Sequence, residues 1–87
     1  MKKISPKQLE SLVHWSVVNK AITRRFSFSS FKESIEFVNQ LALMAEEHHH
    51  HPGINIDYNN VEISLTTKDS GEITEKDFVL AQEIDTL

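Results

Sequence analysis

The chain has 87 residues, a formal net charge of −4 and no cysteine. This length predicts one domain over residues 1–87, and the absence of cysteine excludes a disulfide framework and a cysteine-ligated zinc site. The negative charge argues against nucleic acid as a direct ligand. The longest apolar run, Leu41 to Ala45, is too short to cross a membrane. Because the first residues also lack the apolar stretch of a signal peptide, we expect a cytoplasmic protein.

The first part of the chain predicts a short helix followed by a β-hairpin. Ser5 can cap a helix that begins at Pro6, so a helix over roughly 6–12 is expected. Asn19-Lys20 then marks a turn between two strands. In the second of these strands, apolar and long side chains recur at every other residue and share one face: Ile22, Arg24, Phe26 and Phe28.

A long helix is predicted over about 30–47. Ser30 and Glu33 match the capping box, in which each side chain accepts from the other residue's backbone N–H. The helix carries two apolar stripes side by side, one with Phe31, Ile35, Val38, Ala42 and Ala45, the other with Phe37, Leu41 and Met44. One side is expected to pack on a sheet. The other either meets a partner subunit or belongs to a deeper core.

The last part of the chain predicts a second hairpin and a final helix. Pro52 and Gly53 end the long helix, and two alternating segments follow over 54–58 and 61–66, with Asn59-Asn60 as the tight turn. Thr74 to Asp77 then open the last helix. The order α-β-β-α-β-β-α predicts an α+β fold, with a four-stranded antiparallel sheet and helices packed on one face.

The segment EEHHHHPG, residues 46–53, holds four of the five histidines. A cloning tag would lie at a terminus, whereas this run joins a helix to a strand. A metal site needs ligands that converge on one ion, and four consecutive histidines fan around a helix end. Histidine cations at a helix C-terminus can each contribute about 0.3–1 kcal/mol through the helix dipole. That effect could account for His48 and His49.

Acid–base chemistry is a further interpretation of this segment, beside metal binding and helix capping. Glu46 and His50 are four residues apart, so they share a helix face if the helix persists. His51 precedes Pro52, which favours an extended conformation and aims its side chain elsewhere. A carboxylate beside two adjacent imidazoles is typical of general acid–base catalysis near neutral pH.

From Trp15 onward, through RRFSFSSFKESIEFVNQLALMAEEHHHHPGINIDYNN and beyond, the chain resembles pterin-4a-carbinolamine dehydratase. The residues that carry this resemblance are Glu46, His50, His51, Pro52, Tyr58 and Asp77. The resemblance implies a four-stranded antiparallel sheet backed by helices. It also implies a hydro-lyase, 4a-hydroxytetrahydrobiopterin dehydratase, which removes water from the 4a-carbinolamine to give quinonoid dihydropterin without metal or cofactor.

The resemblance also assigns roles to individual residues. His50 and His51 would be the catalytic acid–base pair, and Glu46 would orient an imidazole. Lys68 and Asp77 would line the substrate pocket. The local sequence also allows a simpler role for Asp77, because an acidic residue in the first turn of a helix interacts favourably with its dipole.

Lys68 stands where the family usually has a third His. The usual pKa of a lysine amine is about 10.4, so deprotonating one at pH 7 costs roughly 4–5 kcal/mol. A lysine is therefore a poor base, although as a cation it could hydrogen-bond a departing hydroxide or a pterin carbonyl. It could also simply be a solvated loop residue.

A non-catalytic binding or assembly module on the same fold is the alternative function. In animals, relatives of this family also serve as dimerisation partners of a homeodomain transcription factor, and related photosynthetic proteins assist assembly of a large enzyme. The loss of the third His and the wide apolar face of the long helix favour this alternative. For either function we expect a homodimer or a homotetramer, because so small a core is marginal alone.

Overall fold

Two hairpins form one four-stranded antiparallel sheet in the computed structural model, which describes residues 2–87. The strands are β1 (Ser16–Val18), β2 (Ala21–Ser27), β3 (Gly53–Asp57) and β4 (Asn60–Leu65). Their order in the sheet is β1-β2-β4-β3, so β4 lies between β2 and β3. The two hairpins therefore meet along the β2–β4 pair, where Ile22 faces Leu65 and Ser27 faces Asn60.

Three helices pack on this sheet: α1 (Pro6–Ser11), α2 (Phe31–Glu47) and α3 (Glu75–Ile84). The predicted α+β class and the order α-β-β-α-β-β-α are confirmed. The start of α1 follows its local signal, because the Ser5 hydroxyl oxygen accepts from the Gln8 N–H at 3.1 Å. No helix within residues 2–87 combines the length and the apolar character that crossing a membrane requires.

The core lies between one face of the sheet and the three helices. In β4, Val61, Ile63 and Leu65 are fully buried, whereas Glu62 and Ser64 point to the other face and are only half-buried. The helices and the segment after α1 supply the facing side chains, among them Leu12, Trp15, Phe37, Leu41, Leu80, Ala81 and Ile84. Burying a side chain such as leucine or isoleucine contributes about 1.5–3 kcal/mol, so this layer holds the helices in place.

The two predicted stripes of α2 are buried to different extents: the one with Phe37 and Leu41 is the more buried, and the other is buried only at Ala45. Phe37 and Leu41 are buried, together with Ser34 and Ala45. Phe31, at the start of the other stripe, is 52% exposed. The sheet covers an arc narrower than the combined apolar stripes, so part of the apolar surface of α2 remains in contact with solvent.

The capping box predicted for α2 forms only in half. The Ser30 hydroxyl oxygen accepts from the Glu33 N–H at 3.1 Å, as predicted. The Glu33 carboxylate, however, accepts from the hydroxyl and the backbone N–H of Ser29, at 2.5 and 3.0 Å, instead of from Ser30. These two bonds lower the pKa of Glu33 below its usual value of 4.5, and the bond from the Ser29 hydroxyl has the larger effect.

The turn between β3 and β4 lies one residue earlier than predicted. Asp57 pairs with Asn60, so Tyr58 and Asn59 form the turn, and the positive φ of 53° falls on Tyr58. Asn59 is engaged elsewhere: its amide nitrogen donates to the Phe28 carbonyl at 3.0 Å, and its own carbonyl accepts from the Phe28 N–H at 2.8 Å. This long-range anchor sets the register, which the local preference of Asn for positive φ could not reveal.

Candidate active site

The C-terminus of α2 determines where the histidines point. His48 caps the helix, and His49 takes up a left-handed conformation with φ of 49°. The His49 N–H then donates to the Glu46 carbonyl and the His50 N–H to the Ala45 carbonyl, both at 3.1 Å. This pair of bonds is the Schellman arrangement, in which a left-handed residue, usually Gly, turns the chain away from the helix axis. Here a histidine occupies that position, so a residue with a strained backbone lies beside the candidate site.

His50 is buried and turned toward α3. Its Nε2 lies 2.5 Å from Oδ1 of Asp77, in a contact between residues 27 positions apart. Asp77 is fully buried in the first turn of α3, and its Oδ2 accepts from the Thr67 hydroxyl at 2.9 Å and the Thr74 N–H at 2.8 Å. Every oxygen of this buried carboxylate therefore has a donor, as a buried charge requires.

His51 forms a second imidazole–carboxylate pair, with Glu46. The two side chains are exposed, and His51 Nε2 is hydrogen-bonded to Glu46 Oε2. The expectation that Glu46 would lie beside His50 is wrong. The i, i+4 relation needs a continuous helix, but α2 ends at Glu47 and the left-handed turn at His49 rotates His50 away.

His48 makes a third pair, with Glu83 of α3. This contact joins the C-terminus of α2 to the last turn of α3. The interpretation of His48 and His49 as helix-capping residues is consistent with their positions, since one is the C-cap and the other is the left-handed residue that ends the helix. The described residues, 2–87, contain no group of three or more His, Cys, Asp or Glu placed to hold one metal ion.

A cleft of about 190 Å³ opens beside these histidines. Lys68, predicted to lie at the site, does line it. The wall consists of His49, His50, His51, Thr66, Thr67, Lys68, Asp69 and Lys76. Asp77, also predicted to line the pocket, is fully buried and is not in the cleft wall; it contacts two residues that are, His50 and Thr67. Tyr58, which belongs to the motif of the resemblance, lies at the far end of β3 and is exposed.

Four residues of the cleft wall were not predicted from the sequence: Thr66, Thr67, Asp69 and Lys76. Thr67 is buried and bonds Asp77, and Lys76 lies in the first turn of α3 and lines the cleft. The only sequence signals were their positions, Thr67 directly before Lys68 and Lys76 directly before Asp77. Neither signal specifies a contact, because the facing segment comes from elsewhere in the chain.

A larger groove of about 600 Å³ lies away from the histidines, between α1 and the first hairpin. Its wall is mainly apolar and includes Ile4, Leu9 and Val17. It holds no histidine and none of the motif residues. Size alone does not identify a reactive site, and the smaller cleft has the titratable groups that acid–base chemistry requires.

The fold and the site together define a class of protein: a small α+β protein with two carboxylate-paired imidazoles beside one cleft. The family model described as pterin 4 alpha carbinolamine dehydratase matches residues 2–87. The chain therefore belongs to the pterin-4-alpha-carbinolamine dehydratase family.

Similar proteins occur in bacteria and archaea. A protein of Picosynechococcus sp., provisionally named as a pterin-4-alpha-carbinolamine dehydratase, is 50% identical over 80 residues, which are 92% of this chain and 87% of that one. A protein of Sulfurisphaera tokodaii with the same provisional name is 40% identical over 91 residues, covering 100% of this chain and 98% of its own.

Two solved structures share the fold. The transcriptional coactivator/pterin dehydratase of Brucella melitensis superposes with a TM-score of 0.89 at 32% identity, over 98% of this chain and 97% of that one. A pterin dehydratase-like protein identified as a RuBisCO assembly factor in the alpha-carboxysome superposes with a TM-score of 0.67 at 26% identity, over 83% of each chain.

Proposed function

We propose that the protein dehydrates a pterin-4a-carbinolamine to the quinonoid dihydropterin. In this reaction the C4a–O bond breaks and the hydroxyl leaves as water after taking up a proton. N5 loses its proton, and the electron pair of the N–H bond forms the N5=C4a double bond. The reaction therefore needs one proton donor and one proton acceptor close together, and no change of oxidation state.

One observation carries the proposal: two adjacent imidazoles, each with its own carboxylate, lie beside one cleft in a member of this family. His50 pairs with Asp77, and His51 pairs with Glu46. One imidazole, in its cationic form, donates the proton to the 4a oxygen, and the other, in its neutral form, accepts the proton from N5. Each carboxylate holds its imidazole in place and stabilises the cation that forms on it, as the aspartate of a hydrolase triad does.

Lys68 contributes charge to the same cleft. We assign to its ammonium group a hydrogen bond to the departing hydroxyl oxygen or to a pterin carbonyl, where it would stabilise developing negative charge. A cationic lysine can fill this role, although it cannot act as the base that the family's third His could be. A homodimer or homotetramer in the cytoplasm remains our expectation for the assembly.

The test is the rate at which chemically generated carbinolamine yields quinonoid dihydropterin. His50→Ala and His51→Ala are each expected to lower the enhancement over buffer by about 10²–10⁴-fold, the usual contribution of a general acid or base. His14→Ala is the matched control, because His14 is exposed and lies outside the cleft. A folded wild type that gives no enhancement, or the same rate in all four proteins, would contradict the proposal.

A non-catalytic assembly module is the second candidate function. It is favoured by Lys68 in place of the third His and by the likeness to a pterin dehydratase-like assembly factor. Lys68→Gln and Lys68→His separate the two functions. If the protein is an active dehydratase, Lys68→Gln lowers its rate, whereas Lys68→His keeps it. If the wild type is inactive and Lys68→His gains activity, the second candidate is supported.

A further inference from the structure

We propose that Thr67 is a positioning residue for His50 and acts on it through the Asp77 carboxylate. The inference rests on the proposed function, in which His50 transfers a proton. Thr67 lies two residues after the end of β4 and directly before Lys68. It closes the loop that follows: its N–H donates to the Glu72 carbonyl at 3.0 Å, and its carbonyl accepts from the Gly71 N–H at 2.8 Å. Its backbone position is therefore set independently of its hydroxyl.

The Thr67 hydroxyl belongs to a buried chain of hydrogen bonds that ends at His50. Thr67 and Thr74 are 4% and 1% exposed, and their hydroxyl oxygens are 2.7 Å apart. Thr67 also lies 2.9 Å from Asp77 Oδ2, and His50 lies 2.5 Å from Asp77 Oδ1. No side-chain nitrogen or oxygen that is fully buried in residues 2–87 lacks a partner, so the chain is complete.

The direction of each bond follows from the donors available. A carboxylate only accepts, so the single hydroxyl hydrogen of Thr67 goes to Asp77 and the Thr74 hydroxyl must donate to Thr67. For the same reason His50 Nε2 carries a hydrogen, which it donates to Asp77. In neutral His50 the other ring nitrogen, Nδ1, is then the unprotonated one. The Thr67 hydroxyl thus helps select the nitrogen through which His50 can act as a base.

Thr67 is better suited to this task than the Thr74 N–H that binds the same oxygen. The N–H belongs to the capping box of α3 and would be satisfied there in any helix of this type. The Thr67 hydroxyl comes from a different segment, the loop that follows β4. It restrains rotation of the carboxylate relative to the segment that also carries Lys68, so the positions of His50 and Lys68 are set relative to each other.

The experiment compares Thr67→Val, which keeps the shape and removes the hydroxyl, with Thr67→Ser, which keeps the hydroxyl. The first readout is the ¹⁵N NMR signal of the His50 ring, followed through its titration. Wild type and Thr67→Ser are expected to show neutral His50 with hydrogen on Nε2, whereas Thr67→Val gives a mixture of both tautomers. The second readout is kcat, which should fall in Thr67→Val and be restored in Thr67→Ser. The expected fall is about 10–100-fold, the size found when a hydrogen-bond partner of a metal-binding histidine is removed.

The two readouts separate failure of this inference from failure of the proposed function. A shifted tautomer in Thr67→Val supports positioning by Thr67 even if the wild type proves inactive. Unchanged His50 signals in folded Thr67→Val overturn the inference, whether or not the rate falls, because any loss would then arise elsewhere. If Thr67→Val does not fold, Thr67→Ala removes the same hydroxyl with less bulk, and the same outcomes apply.

Discussion

At the scale of single residues, His49 has a strained backbone conformation and also lines the cleft. Its left-handed φ of 49° forms the turn that ends α2 and separates His50 from Glu46. For an L-residue this conformation costs roughly 1–2 kcal/mol. A glycine would end the helix without that cost. The histidine at this position lowers the stability of the fold and places an imidazole on the cleft wall.

His49→Gly is therefore expected to stabilise the protein by about 1 kcal/mol, after the larger unfolded-state entropy of glycine is subtracted. For a domain of this size, that change corresponds to a rise in Tm of about 4–8 °C. The measurement is thermal unfolding followed by circular dichroism. His49→Ala, which loses the imidazole and keeps the strained Cβ, should show no comparable gain. Equal Tm values for the two variants would rule out strain at this position.

Glu33 provides a prediction that depends on pH. Its pKa is lowered in the folded protein by the bonds from Ser29, so folding favours the ionised form. The resulting stability is present above pH 4.5 and is lost as the pH falls through the lowered pKa. Ser29→Ala should therefore destabilise the protein more at pH 7 than at pH 3, measured by urea unfolding. In a Glu33→Gln background this difference between the two pH values should disappear, and its persistence would point to another group.

At the scale of elements, α2 shows why an apolar pattern does not by itself identify the core face. Both stripes fit a helical period, but the one with Phe37 and Leu41 is the more buried, and the other is buried only at Ala45. The choice depends on how α2 is oriented on β2 and β4, and that orientation is set by contacts between segments distant in sequence. The predicted bounds, 30–47, agree closely with Phe31–Glu47, because capping and chain-breaking signals are local.

Two neighbouring positions in α2 test this assignment. Leu41 is fully buried and Gln40 is exposed. Leu41→Ala should cost about 2–5 kcal/mol of unfolding free energy, through lost burial and the cavity left behind. Gln40→Ala should change it by less than about 0.5 kcal/mol, as is usual for surface positions. Chemical denaturation measures both, and similar costs at the two positions would contradict the orientation of α2.

At the scale of the whole molecule, the stripe of α2 that begins at Phe31 leaves apolar surface uncovered. Phe31 and Ala42 are exposed on it, and Ile35 and Val38 are half-buried between them. Exposed apolar surface of this kind is typical of contacts between proteins. In line with the expected homo-oligomer, we assign this stripe to contact with a second copy of the chain.

Ala42→Glu should therefore shift the protein toward the monomer, since a carboxylate buried between two copies loses its hydration. Sedimentation velocity over a range of protein concentrations measures the shift. Gln40→Glu adds the same charge on exposed surface outside the stripe and should leave association unchanged. If both variants associate as the wild type does, the stripe is not the contact; if the wild type is monomeric throughout, the expected oligomer is wrong.

The sequence by itself determined the elements, their order, the sheet class and the segment that holds the histidines. Those features follow from caps, breakers and periodicity, all of which act over a few residues. Only the tertiary structure decided which carboxylate meets which imidazole. His50 reaches Asp77 across 27 positions, and Thr67 contacts Asp77 from the loop that follows β4. Such pairings depend on how α2, α3 and the sheet pack, and packing is the sum of many distant contacts that no local spacing encodes.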